Sequence, residues 1–215
     1  GCSDWDSVIV TVNPLPAANA GTASTICLGG NTNIGAAAVS GNTYAWTSSP
    51  AGFTSTNSTE NVAPTTTTKY YLTETVTATG CSKMDSVIVT VNPLPTVNVG
   101  PAKSICLGGN TTIGAAATSG KAYAWTSNPA GFTSSTANPT VAPTAFTTYY
   151  LMVTDSATGC MNLDSVNVSI NPLTAANAGS PQTVCYGVNV NLGAAPVAGS
   201  KYAWTSSPVG FTSNL

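Results

Sequence analysis

A twelve-residue stretch returns three times in this chain. It spans Tyr44 to Ser55, Tyr123 to Ser134 and Tyr202 to Ser213, each time as Tyr-Ala-Trp-Thr-Ser, then Pro, then Gly-Phe-Thr-Ser. Trp46, Trp125 and Trp204 stand 79 residues apart. A fixed period of that size imposes an array of small domains and overrules a single domain of 215 residues. The expected division is residues 1–13 as the last strand of a preceding repeat, 14–92 and 93–171 as complete repeats, and 172–215 as an incomplete one. Since the pattern starts and stops in mid-repeat, the chain reads as a piece of a longer array.

Within a repeat the apolar residues alternate with period two, the mark of strands with one buried face. Asp6 to Val12 places Val8, Val10 and Val12 on one side, and it recurs as Asp85 to Val91 and Asp164 to Ile170. Asn-Pro-Leu-Pro follows at 13–16 and 92–95, and Asn-Pro-Leu-Thr at 171–174. Prolines end a strand and stiffen the chain, so this is the expected linker. Thr96 to Val99 and Lys103 to Leu107 predict a first strand split by Gly100-Pro101, and Asn110 to Ala117 predicts a second. Ala122 to Ser127, Thr140-Val141, Thr147 to Thr154 and the Asp164 segment supply the rest. That makes about seven short strands with no helical period, an all-β sandwich. Tyr44 with Trp46, Tyr123 with Trp125 and Tyr202 with Trp204 share a face of the third strand. Beyond the proline bend, Phe53, Phe132 and Phe211 return to the same core.

Six cysteines fall into two registers, Cys2, Cys81, Cys160 and Cys27, Cys106, Cys185. In a Thr/Ser-rich chain with few charges they read as disulfides of an oxidising compartment, with buried free thiols as the alternative. Pairing within domains, Cys27–Cys81 and Cys106–Cys160, is favoured; each would add about 4 kcal/mol on the chain-entropy relation. Cys2 and Cys185 would then pair with neighbouring repeats. The competing scheme joins Cys2 to Cys27 across the linker. Metal binding is disfavoured, because there is no His and no two Cys are close in sequence.

The charged share is 6%, against roughly 25% in ordinary globular proteins, so Thr, Ser, Asn and small apolar residues must cover the surface. Five Lys, no Arg and a net charge of −2 argue against nucleic acid and against anionic membrane surfaces. No apolar run approaches the roughly 20 residues of a membrane span.

Several short motifs occur in fixed order: Cys106-Leu-Gly108, Tyr123-Ala-Trp125-Thr126, Ala142-Pro-Thr144, Thr147-Thr-Tyr-Tyr-Leu151, Thr158-Gly-Cys160 and Asp164-Ser-Val166. Together they resemble the immunoglobulin-like and PKD-like repeat domains of giant secreted surface proteins and adhesins of Bacteroidota. The resemblance implies tandem immunoglobulin-like β-sandwiches with a 79-residue repeat, outside the cell, serving as stalks. The chain lacks the acidic clusters of calcium-binding relatives, and no cofactor is expected.

Among charged residues only Asp6, Asp85 and Asp164 recur in register. In Asp-Ser-Val these aspartates can bond local backbone at the start of a strand. The same triplets resemble the O-glycosylation motif of secreted Bacteroidota proteins, which makes Ser7, Ser86 and Ser165 acceptors, with Ser156 in Asp155-Ser-Ala157 a further one. A bulky, hydrated glycan would suit a surface so poor in charge. None of the five Lys recurs, which disfavours a Lys–Asn isopeptide in each domain. Without His or Arg, and with no Ser or Cys beside a base, catalysis finds no footing and no enzyme is expected. The expected function is a structural stalk or filament segment of a cell-surface repeat protein, partnered by neighbouring repeats and by copies of itself. An adhesive or glycan-binding module, with Tyr44 and Trp46 as a sugar platform, and an accessory domain of a hydrolase are the alternatives.

Overall fold

The computed structural model describes residues 1–214, and all its regular elements are strands. In the first complete repeat these are β1 (Ser24–Cys27), β2 (Thr32–Gly35), β3 (Asn42–Ser49), β4 (Thr59–Val62), β5 (Thr68–Val76) and β6 (Ser82–Asn92). They form a four-stranded sheet in the order β1-β6-β5-β3, faced by the pair β2-β4. The second repeat copies this with β7 (Lys103–Cys106), β8 (Thr111–Thr112), β9 (Lys121–Asn128), β10 (Thr140–Val141), β11 (Thr147–Asp155) and β12 (Met161–Asn171). Its sheets are β7-β12-β11-β9 and β8-β10. Two tandem β-sandwiches result.

Alternation selects the buried face. In β5, Thr68, Tyr70, Leu72 and Glu74 are buried, and in β11, Thr147, Tyr149, Leu151 and Val153. The first core gathers Ala20, Ile34, Trp46, Val62, Tyr70, Leu72, Val87 and Val89. The second contains the counterpart of every one of these: Val99, Ile113, Trp125, Val141, Tyr149, Leu151, Val166 and Val168. Tyr44, Phe53, Tyr123 and Phe132 pack on the cores from their rims. Phe53 meets Tyr70 edge-on at 5.1 Å, and Phe132 meets Tyr149 at 5.2 Å, a geometry favourable for aromatic pairs.

The Tyr-Ala-Trp stretch is a central strand with a closed excursion after it. Trp46 N donates to Ser55 O at 2.8 Å, and its indole Nε1 donates to Asn57 O at 2.8 Å. Ser48 Oγ clamps the bend, donating to Pro50 O at 2.7 Å and accepting from Phe53 N at 3.2 Å. Trp125 and Ser127 make the equivalent bonds in the second domain.

The first strand of each domain lies parallel to the last. Ser24 to Cys27 pair with Val89 to Asn92, and Lys103 to Cys106 with Val168 to Asn171. The preceding Thr96 to Val99 segment, expected as part of that strand, is not one; it is held by Gly114 N donating to Val99 O at 2.9 Å. The second strand also ends earlier than the expected Ala117, because Gly114 has φ of 80° and breaks the ladder there. At Gly35 and Gly114 an added Cβ would lie 2.1 Å from Ser58 O and 2.2 Å from Ala137 O. Only glycine allows the neighbouring chain segment, which leads into β4 or β10, to come this close.

The flanks differ from the complete repeats. Residues 1–23 contain no strand, and Val8, Ile9, Val10 and Val12 are exposed, although the same sequence forms β6. In the first domain β6 is held between β1 and β5; residues 1–13 contain a counterpart of neither. Residues 172–214 form only the pair β13 (Ala203–Thr205) and β14 (Thr212–Asn214). Trp204 is half-buried, Phe211 is 50% exposed, and cavities of about 370 Å³ open beside Trp204. The expected core of Tyr202, Trp204 and Phe211 stays open there, because residues 172–214 hold no counterpart of β11 and β12, the strands that cover Trp125.

Gly114→Ala should cost the second domain about 3 kcal/mol or more, by strain at positive φ plus a backbone clash. Urea unfolding of that domain reads the loss, and an unchanged midpoint would refute the close approach.

Candidate functional site

The feature with the clearest functional content is a bond between the domains. Cys27, the last residue of β1, is bonded to Cys160, in the turn between β11 and β12. Their Cα atoms are 5.6 Å apart, ordinary disulfide geometry, and 133 residues separate them in sequence. Closing a loop of that length contributes about 5 kcal/mol on the chain-entropy relation.

This corrects the expected pairs Cys27–Cys81 and Cys106–Cys160. Cys27 sits beside Asn92, the end of β6, and Leu28 N donates to Asn92 O at 2.8 Å. Cys81 immediately precedes Ser82, where β6 starts. The length of β6 lies between them, about 36 Å at the usual rise per residue, while a disulfide needs Cα atoms within about 7 Å. The second domain separates Cys106 from Cys160 in the same way, since Cys106 lies beside Asn171 and Cys160 precedes Met161. Cys2, Cys81, Cys106 and Cys185 are free thiols. The alternative of Cys2 with Cys27 is excluded too, although it rightly crossed a domain boundary.

The junction is reinforced at the second domain's near end. Pro95 of the linker is buried, and Asn162 Nδ2 donates to its carbonyl at 2.9 Å. Asp85 ties the incoming chain of the first domain to β6: its Oδ2 accepts from Ala20 N at 2.8 Å. That bond, with a second from Ser86 N, holds its carboxyl below the usual carboxylate range. Asp6 and Asp164 accept from the N–H of Ser7 and Ser165 at 2.8 and 2.7 Å. All three recurring aspartates therefore bond the next residue's backbone. Ser7, Ser156 and Ser165 are exposed and Ser86 is half-buried.

Trp46 and Trp125 are each 1% exposed, so neither offers a face to a sugar ring. One buried carboxylate breaks the symmetry of the cores. Glu74 is 3% exposed, accepts from Asn42 Nδ2 at 2.6 Å, and lies where the second domain has Val153. The second domain instead pairs Lys121 with Asp155 at its surface. Lys121, then the N–H groups of Ala157 and Thr158, lower the Asp155 pKa to about 2. Among the described residues no three His, Cys, Asp or Glu side chains gather to hold a metal ion. Among the described residues no helix is long and apolar enough to cross a membrane.

Two parallel-edged sandwiches, each built around a third-strand Trp, define tandem immunoglobulin-like domains. The family described as "Ig-like domain CHU_C associated" matches residues 15–93 and 94–172, and the chain belongs to it. No curated protein matches the chain. Similar solved structures include fibronectin(III)-like modules of Clostridium thermocellum CbhA, at 13% identity and TM-score 0.32, covering 70% of this chain and 90% of that one. The titin I-band fragment I67-I69 is similar at 13% identity and TM-score 0.34, covering 70% and 63%. Extracellular domains 3-5 of Drosophila OTK are similar at 12% identity and TM-score 0.37, covering 70% and 59%. The chain thus spans less than two thirds of the titin and OTK fragments.

Glu74→Val should stabilise the first domain by about 1 kcal/mol, since it replaces a buried carboxylate by the apolar residue its twin domain uses. A higher urea midpoint is expected, and a lower one would show that the Asn42 bond outweighs the burial.

Proposed function

We propose that the chain is a stalk or filament segment of a large extracellular cell-surface repeat protein, with a mechanical rather than a catalytic task. The Cys27–Cys160 joint is the observation that supports this most directly. A disulfide between successive domains bridges no pair of sheets within either core; besides the loop it closes, it restricts how the domains move and how far the chain extends. Such a bond also belongs to an oxidising compartment, in keeping with an extracellular location. The short Pro-Leu-Pro linker with its buried second proline adds stiffness. The motif resemblance to Bacteroidota surface proteins points the same way. Neighbouring repeats are the first partners, and lateral association of like chains the second. A glycan-binding role through the recurring tryptophan is disfavoured in the complete domains, where Trp46 and Trp125 are enclosed.

Small-angle scattering of the oxidised chain should show residues 14–171 as one elongated body with a fixed interdomain distance. Reduction, or Cys27→Ser, should broaden that distance while both domains stay folded. Equal breadth in both states would remove the mechanical reading.

Covalent glycans on Ser7, Ser86, Ser165 and Ser156 complete the proposal, replacing charge as the solubilising layer. The intact mass of the secreted protein should exceed that of its polypeptide by whole glycans, and an unmodified mass would remove this part.

A further inference from the structure

The cysteines that the observed disulfide leaves over stand in the same places as those it uses. Cys27 and Cys106 are counterparts: each ends the first strand of its domain, beside the final asparagine of the last strand, Asn92 or Asn171. Cys81 and Cys160 are counterparts as well: each lies in the turn before the last strand, its carbonyl accepting from Val76 N at 2.9 Å or Asp155 N at 2.8 Å. The bond joins the first-position cysteine of one repeat to the second-position cysteine of the next. At that junction Cys160 is fully buried, while Cys81, facing no preceding domain, is half-buried. Cys106, at the far end of the second domain, is exposed.

We propose that Cys81 and Cys106 are two further halves of this joint. Cys81 bonds to the first-position cysteine of the repeat before, and Cys106 to the second-position cysteine of the repeat after. The proposal rests on the reading of the chain as part of a longer array. Each bond forms by thiol–disulfide exchange: two thiols give up two protons and two electrons to a disulfide donor of the oxidising compartment, which leaves as a dithiol.

Repeated along the array, the joint makes two covalent tracks. One enters the second domain through the linker, follows β7 to Cys106 and leaves by a disulfide. The other enters by a disulfide at Cys160, follows β12 to Asn171 and leaves through the next linker. β7 and β12 are parallel, hydrogen-bonded neighbours, so the two tracks run side by side through the domain. The strands β8 to β11 lie between Cys106 and Cys160, off both tracks.

The consequence is an array that force cannot lengthen by unfolding. From Cys81 to Cys106 the track has 25 residues, at most about 85 Å when fully extended. That stretch already crosses β6, a linker and β7, which together span most of two domains. Without the joints, unfolding one repeat would release a chain of about 79 residues, on the order of 250 Å.

Peptide mapping without reduction, on the secreted parent protein, tests the pairing. The Cys106 peptide should be linked to the Thr-Gly-Cys-type peptide of the following repeat, and the Cys81 peptide to the Cys-x-Gly-type peptide of the preceding one. Force extension of the same oxidised protein should show no repeat-sized steps, and reductant should restore them at on the order of 200 Å. Free thiols at 81 and 106, bonds from either to Cys27 or Cys160, or cross-links between separate molecules would overturn the joint and leave the stalk reading standing. An intact mass showing no flanking repeats would overturn both.

Discussion

Everything distinctive in this structure follows from the parallel pairing of the first strand of each domain with the last. Parallel neighbours begin at the same pole and end at the same pole. Cys27 closes the first strand, and Cys81 precedes the last. The two cysteines of one domain are therefore driven to opposite ends, as are Cys106 and Cys160. A bridge inside the domain would have to span the length of a strand. Between domains the same geometry brings a far-pole cysteine to a near-pole cysteine, and the Cys27–Cys160 bond is the outcome.

The cores do without a covalent bridge between their sheets. In antibody-type sandwiches the third-strand Trp packs on a disulfide joining the two sheets, whose second cysteine lies two residues after a tyrosine. Here Leu72 follows Tyr70, and Leu151 follows Tyr149, at that spacing. Both are fully buried, as are Ile34 and Ile113 in the facing sheets. Apolar packing thus fills the place of the inner bridge, and the disulfide of Cys27 with Cys160 serves the junction. For domains this small the apolar surface removed from water gives only a modest margin, so cores with the same residues at most positions matter more than they would in a larger domain.

Much of the fold was legible in the sequence. Period-two alternation marked β5, β6, β11 and β12, and the same-face pairs Tyr44–Trp46 and Tyr123–Trp125 marked the core strand, because side-chain direction in a strand depends only on position along it. Strand limits were less legible. Nothing in Asn110 to Ala117 itself reveals that Gly114 takes a positive φ and leaves room for the Ala137 carbonyl and the Trp125 ring. The disulfide partner was not legible at all. The two cysteine registers were plain, but choosing between them needs the direction of the first strand. A four-residue strand carries no sign of whether it will lie parallel or antiparallel to a strand some sixty residues away.

The third copy of the Tyr-Ala-Trp stretch separates what the chain determines locally from what the fold decides. Tyr202 Oη still accepts from Val197 N at 2.6 Å, and Ser206 Oγ still donates to Pro208 O at 2.8 Å and accepts from Phe211 N at 3.0 Å. These bonds join residues at most five apart, so the sequence alone suffices to make them. Burial of the tryptophan does not survive: Trp46 and Trp125 are enclosed, whereas Trp204 is only half-buried. Enclosure needs β5 and β6, or β11 and β12, brought back from dozens of residues away. The sequence by itself thus determined the repeat, the apolar alternation and the local clamps, while the identical Asp6–Asn13 and Asp85–Asn92 segments show that strand formation needs partner strands. The tertiary structure alone decided which aromatics become core and which cysteines meet, because both depend on contacts between segments remote in the chain.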